Sequence, residues 1–327
     1  MALPAGVEKF QGVLYVLAIL LGLFLGSLWP SLAQPLATLL WPVLGGLLYV
    51  TFIQVPLVNM QAALADGRFM AAAVVGNFVL VPLLLWAVIG LMPDQPGVQL
   101  GILLVLLVPC TDWFITFTHL GGGDTHRAMA FAPLSLVLQL LLLPLYVAVI
   151  LGQDQLLGLL QWELIMASGL LIGVPLALAF VTERWCRSSS RGNALVQHCQ
   201  ALPVPLLALV LFSIAASQVN LVTASFYLLG PLALIFCAYL LLAALLARLV
   251  ATLLRLPATQ GRVLAFSFGS RNSFVVLPLA IALPAGLELA IVVVVFQSLV
   301  ELFGMLLYLW LIPRVLFPAA TKGDARG

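Results

Sequence analysis

Charge is what this chain has least of. Only 7% of its 327 residues are Asp, Glu, Lys or Arg, and 64% are hydrophobic. A mean hydropathy of +1.23 lies outside the range of water-soluble domains. Polar stretches are also missing, so no room remains for a sizeable soluble domain. Cysteine is sparse: Cys110, Cys186, Cys199 and Cys237 show no paired spacing and imply no disulfide framework. Enzyme signatures are lacking too. There is no serine elbow, phosphate loop or cluster of metal ligands, so neither a cofactor nor a metal is expected. The string "GGGD" at 121–124 matches the GxGD of intramembrane aspartyl proteases. That chemistry needs a second aspartate facing the first inside the bilayer, whereas Asp124 falls at a helix end beside His126 and Arg127. His119 and His126 do not have HExxH zinc spacing. A net charge of +2 gives no reason to expect a nucleic-acid partner.

What is present is apolar runs, ten of them, each long enough to cross a hydrocarbon core of roughly 30 Å as a helix. They fall near 10–29, 36–59, 69–92, 98–119, 126–150, 160–182, 194–218, 225–253, 259–282 and 288–313. The first resembles a signal peptide, but its apolar part is too long for one. Basic residues gather on alternate connections: Lys9, Arg68, Arg127, Arg184, Arg187 and Arg191, Arg248, Arg255 and Arg262, then Arg314, Lys322 and Arg326. The positive-inside rule therefore puts both termini and every even-numbered connection in the cytoplasm. Twelve of the thirteen basic residues obey, and the exception is Arg271. Five spans per half invert the second half relative to the first, with residues 1–155 as one repeat, 156–318 as the other and 319–327 as a cytoplasmic tail. The expected fold is an all-α polytopic membrane protein.

Spans four and nine correspond in the two halves, and both are interrupted near the middle. In span four "GILLVLLV" stops at Pro109, and Cys110, Thr111 and Asp112 precede "WFITFTHL". In span nine "VLAFSF" stops at Gly269, and Ser270, Arg271, Asn272 and Ser273 precede "FVVLPLAIAL". Proline removes a backbone donor, glycine permits a break, and Thr, Asp, Ser and Asn cap a new helix start. Backbone groups freed at mid-membrane have to be buried in protein or line a wet cavity. Two half-helix N-termini, each with about half a positive charge, then face one site suited to an anion or a polar solute.

These segments resemble a known family. Cys110, with Gly123 and Asp124 following thirteen and fourteen residues later, resembles the fourth-span pattern of the arsenite-efflux permeases, a branch of the bile acid:sodium symporter superfamily. "GSRNSF" at 269–274 is similar to their ninth-span pattern. The resemblance implies a panel of spans one, two, six and seven and a core in which discontinuous spans four and nine cross at the substrate site. It also implies a multi-pass protein in the inner membrane of a prokaryote. The chain departs from the pattern in places. An acid of the permeases falls at Val275. The acid and glutamine of sodium-coupled members fall near Ser267 and Arg271, and their Ser-Asn pair near Phe114 and Ile115. Both sodium sites are dismantled in this reading, and Arg271 stands as a fixed cation where relatives bind a mobile one.

Substrate contacts are expected from Cys110, Thr111, Asp112, Ser270, Arg271, Asn272 and Ser273, with Asn77, Gln139 and Gln297 as secondary candidates. An arginine at mid-bilayer needs a partner or a cavity. Asp112 is the first candidate and Glu301 the competitor, so Asp112, Arg271 and Glu301 are the coupling candidates. A permanent Asp112–Arg271 pair is a structural clamp, whereas a pair that parts or exchanges a proton is a coupling device. Cys110 offers a soft sulfur suited to arsenic(III). The expected function is a secondary transporter of a small anionic or neutral polar solute, with arsenite efflux first, coupled to protons or uncoupled. An organic carboxylate or sulfonate held by Arg271 is the alternative. A channel or an intramembrane enzyme is the reading from another class.

Overall fold

The computed structural model describes residues 5–54, 66–111, 113–151, 162–186, 199 and 202–318. These form α1 (Ala5–Leu28), α2 (Ala33–Phe52), α3 (Gly67–Val75), α4 (Val81–Val88), α5 (Pro96–Leu107), α6 (Trp113–Leu120) and α7 (Thr125–Leu151). After them come α8 (Trp162–Cys186), α9 (Pro203–Ser217), α10 (Val219–Ala224), α11 (Phe226–Leu253), α12 (Ala258–Gly269), α13 (Ser273–Ile281) and α14 (Leu289–Leu311). A π-helical turn, Gly76–Leu80, joins α3 to α4. Among the described residues, five helical stretches are long and apolar enough to cross a membrane: Pro30–Phe52, Gly67–Val88, Thr125–Leu143, Phe226–Leu253 and Leu289–Leu316. The protein is a multi-pass, helical membrane protein. The second run, expected to reach residue 59, is helical to Phe52, and 55–65 lie outside the described residues.

Local chemistry sets the helix ends. Asp66 accepts the Phe69 N–H at 3.2 Å and caps α3. Pro96 and Pro203 stand in the first turns of α5 and α9, where a missing N–H costs nothing. Two groups of helices pack together. In one, α9 lies against α1 and α2, and α2 against α8. Gly22 and Gly26 of α1 make that approach close. A Cβ on Gly26 would lie 2.4 Å from the Ala216 carbonyl oxygen, and one on Gly22 2.5 Å from that of Phe212, the small-residue spacing that lets membrane helices touch through their backbones. Tyr49 of α2 and Thr182 of α8 add a hydroxyl pair at 3.0 Å. In the second group α11, α12, α13 and α14 pack on one another and on α5, α6 and α7. The first group meets the second where α13 touches α2 and α8, and where α1 touches α14.

Candidate functional site

The two interruptions meet. Val108, held extended by the proline after it (φ −106°, ψ 104°), ends α5, and Ser270 (φ −91°, ψ 130°) ends α12. Pro109 and Arg271 form an antiparallel bridge. The Cys110 N–H donates to the Ser270 carbonyl at 3.1 Å, and the Asn272 N–H to the Val108 carbonyl at 2.8 Å. Backbone groups freed by one break are thus satisfied by the other, as a low-dielectric interior requires. Asn272 then caps α13, its Oδ1 accepting the Val275 N–H at 3.2 Å.

Arg271 is 3% exposed, and its side chain folds back over the C-terminal end of α12. Nε donates to the Phe268 carbonyl at 3.1 Å, and Nη2 donates to the same oxygen and to Asn77 Oδ1, the latter at 3.2 Å. The Tyr239 hydroxyl reaches that carbonyl at 2.7 Å, and its ring faces the guanidinium carbon at 5.4 Å from the centroid. A cation at the carboxyl end of a half-helix meets the negative end of its dipole, and a tyrosine face adds cation–π attraction. Nη1 has no hydrogen-bond partner among the described residues.

The π-helical turn explains Asn77. It sits in that turn, where Asn77 Nδ2 donates to Ser267 Oγ at 3.0 Å and to the Ala73 carbonyl at 3.1 Å. A Cβ on neighbouring Gly76 would lie 1.9 Å from the Phe268 ring, so glycine permits this approach. Tyr146 of α7 donates to the Phe78 carbonyl and satisfies an oxygen within the π turn.

Glu301, the expected competitor for Arg271, does not take its guanidinium. It holds the backbone of the break instead. Oε1 accepts from Ser270 Oγ at 2.7 Å, and Oε2 accepts from the Arg271 N–H at 2.8 Å and from Gln297 Nε2 at 2.7 Å. Ser273 Oγ donates to Gln297 Oε1 at 2.7 Å. Arg271, Asn77, Gln297 and Glu301 are therefore brought to one place. Cys110 and Thr111 belong to the other strand of the crossing, and Thr111 Oγ1 has no partner among the described residues. Gln139 is buried on α7, and among the described residues neither of its amide atoms has a hydrogen-bond partner. Asp112, the first expected partner of Arg271, lies outside the described residues. An aromatic row adjoins the half-helix starts: Trp113 stacks on Tyr15 of α1 at 6.4 Å and meets Phe274 of α13 edge-on at 5.5 Å.

Tyr239 was not expected at the site, because nothing in the plain apolar helix around it marks the tyrosine, and Ser267 was marked only as the position near which sodium-coupled relatives place an acid. Asp124 stands just before α7. It caps α7 through the Arg127 N–H at 3.2 Å and pairs with the Arg127 side chain, which also binds Asp66 at 2.7 Å. Gln260 of α12 donates to the same Asp66 oxygen at 3.1 Å. The Phe69 N–H, then Arg127, hold the Asp66 carboxyl below its ordinary range.

No curated protein matches the chain. Residues 41–225, more than half of it, match the model of the Sodium Bile acid symporter family. That stretch includes the first break, while Arg271 lies beyond it. Members of this family are membrane solute transporters and not enzymes, a setting in which a pair of broken, crossing helices has an obvious use. On this match the chain belongs to the sodium bile acid symporter family.

Proposed function

We propose that the protein is a sodium-independent secondary transporter of a small organic anion, working by alternating access in the inner membrane of a prokaryote with both termini cytoplasmic. The observation that carries this reading is the guanidinium of Arg271 on the C-terminal end of α12. Half-helix ends and unwound carbonyls are where transporters of this architecture coordinate a mobile cation. Here the cation is covalently attached, and it is already bonded to Asn77 and to the Phe268 carbonyl. Nη1, without a hydrogen-bond partner among the described residues, is the donor offered to a carboxylate or sulfonate. The inverted arrangement of 1–155 and 156–318 belongs to this reading, with the panel of α1, α2, α8 and α9 moving against the crossing.

A second reading, arsenite efflux, is favoured by Cys110, whose backbone is tied into the crossing at Ser270. A soft sulfur there suits a trivalent arsenical. Thermal-shift screening of the purified protein against sulfonates, carboxylates, arsenite and antimonite separates the two. Stabilisation by an organic anion that is lost in Arg271→Gln supports the first. A shift by arsenite alone, lost in Cys110→Ser, overturns it in favour of the second. Uptake that requires sodium, with the proton gradient clamped, sinks the claim of sodium independence.

A further inference from the structure

The acid on α14 is arranged as a switch, and its surroundings define both of its states. Glu301 is 4% exposed and accepts three hydrogen bonds, from Ser270 Oγ, the Arg271 N–H and Gln297 Nε2. Ser273 fixes the Gln297 amide by donating to its oxygen, so the Gln297 N–H faces the carboxylate. Two of the three donors, the Arg271 N–H and the Gln297 N–H, cannot accept. The Ser270 hydroxyl can reverse its role. A proton arriving on Oε1 therefore has one place to point, at Ser270 Oγ, and the other two bonds to Oε2 survive. Ser270 and Arg271 are adjacent in the unwound segment, so the titrating group is bonded to the strand that carries the fixed cation.

We propose that Glu301 carries one proton with each anion, making the protein a proton–anion symporter in which Arg271 stays charged throughout. This rests on the reading of the crossing as an anion site. With Glu301 ionised and the site empty, Arg271 and Glu301 sum to zero. With Glu301 protonated and a monovalent anion on Arg271, the sum is again zero. An anion without the proton, or the proton without an anion, leaves one uncompensated charge in a low-dielectric crossing, which desolvation disfavours. Only the two neutral forms reorient readily, which couples the fluxes. Binding is reciprocal: the proton on Glu301 strengthens anion binding and the anion strengthens proton binding.

The neighbours are few. Among elements packed against α14, α5, α10 and α13 bring no titratable side chain, α11 brings Tyr239 to the site and carries Tyr227, Cys237 and Arg248 elsewhere along its length, α12 carries Arg262 in its first half and Arg271 at its break, and the turn after α14 carries Arg314. Cys110 lies on the other strand of the crossing, α1 carries Glu8 and Lys9 near its start and Tyr15 further along, α6 ends with His119, and α14 itself has Tyr308. Asp112 is the one further acid at the breaks, and the test separates it from Glu301.

The full-length protein is reconstituted with pyranine inside vesicles, in sodium-free choline buffers, with the potential clamped by potassium and valinomycin. The probes are ethanesulfonate, isethionate and benzenesulfonate, which stay ionised and carry no proton of their own. The wild type is expected to move one proton per sulfonate, and its dissociation constant to weaken tenfold per pH unit on the alkaline side. Glu301→Gln is expected to bind sulfonate without that slope and to exchange sulfonate for sulfonate without moving protons, since its loaded form is neutral while its empty form, carrying only the Arg271 charge, does not return. Sulfonate entry without protons in the wild type, or protons still moved with sulfonate by Glu301→Gln, each overturns the proposal and leaves the anion site standing. If no sulfonate binds or enters, the anion-site reading itself has failed and the proposal with it. Should Glu301→Gln not fold, the wild-type stoichiometry and slope decide alone.

Discussion

Arg271 concentrates the chemistry of the chain in one side chain. Burying a guanidinium costs several kcal/mol unless it is bonded throughout, and here a carbonyl, an amide oxygen and a tyrosine face supply most of what it needs. Asn77→Ala removes the acceptor for Nη2 and the donor to Ser267. The expected loss is about 1–3 kcal/mol of stability, read as a lower melting temperature in detergent, whereas Asn77→Asp should hold Arg271 more firmly. The oddity of Arg271 was visible as the one basic residue off the cytoplasmic pattern. Its partners were not, because Asn77 lies 194 positions away and the acceptor at Phe268 is a backbone oxygen that no side-chain pattern marks. Asp112 is picked out in the sequence by its charge and by its place at the other break, and it lies outside the described residues. The described contacts of the guanidinium are with neutral groups, and the carboxyl end of a half-helix itself favours a cation.

At the scale of elements, the breaks were readable and the π turn was not. Pro109 and Gly269 stop their helices, and Asn272 restarts one, each by chemistry that belongs to the residue itself. At the Gly76–Leu80 turn Phe268 fills the space beside Gly76, a contact between distant segments that no local pattern marks. Gly76→Ala should therefore disturb the site through Phe268, shifting Asn77 away from Arg271 and weakening anion binding. At the far end of the same helix Asp66 ties α3 to α7 and α12 through Arg127 and Gln260. Its carboxyl is held below the ordinary range in the folded protein, first by the Phe69 N–H. Such a group contributes stability that is present above its unfolded pKa, near 4, and is lost as pH falls through the folded value. Melting temperature against pH should drop in that acidic window for the wild type and flatten in Asp66→Asn. The α1–α9 contact gives a packing test. Gly26→Leu forces a side chain into the Ala216 carbonyl and should cost about 1–3 kcal/mol.

At the scale of the molecule, the helices pack in two groups, one holding the crossing and the other flanking it. Tyr15 of α1 stacked on Trp113 of α6 spans them. If the flanking group moves, a Tyr15→Cys, Trp113→Cys pair joined by a short bifunctional thiol reagent should arrest uptake, and reductant should restore it. Family membership accounts for the membrane, the solute and the broken helices. A side-chain cation where transporters of this architecture coordinate a mobile one is the claim of the proposed function. A protein that binds sodium in its folded state is stabilised by it, by ~1.4 kcal/mol at ten times the dissociation constant. The direct measurement is the melting temperature of the purified protein in sodium chloride against choline chloride at equal ionic strength, for the wild type and for Arg271→Ala. The account predicts no difference for the wild type and a saturable sodium-specific stabilisation for Arg271→Ala, where the vacated oxygens of Phe268 and Asn77 become available. Saturable, sodium-specific stabilisation of the wild type would contradict it.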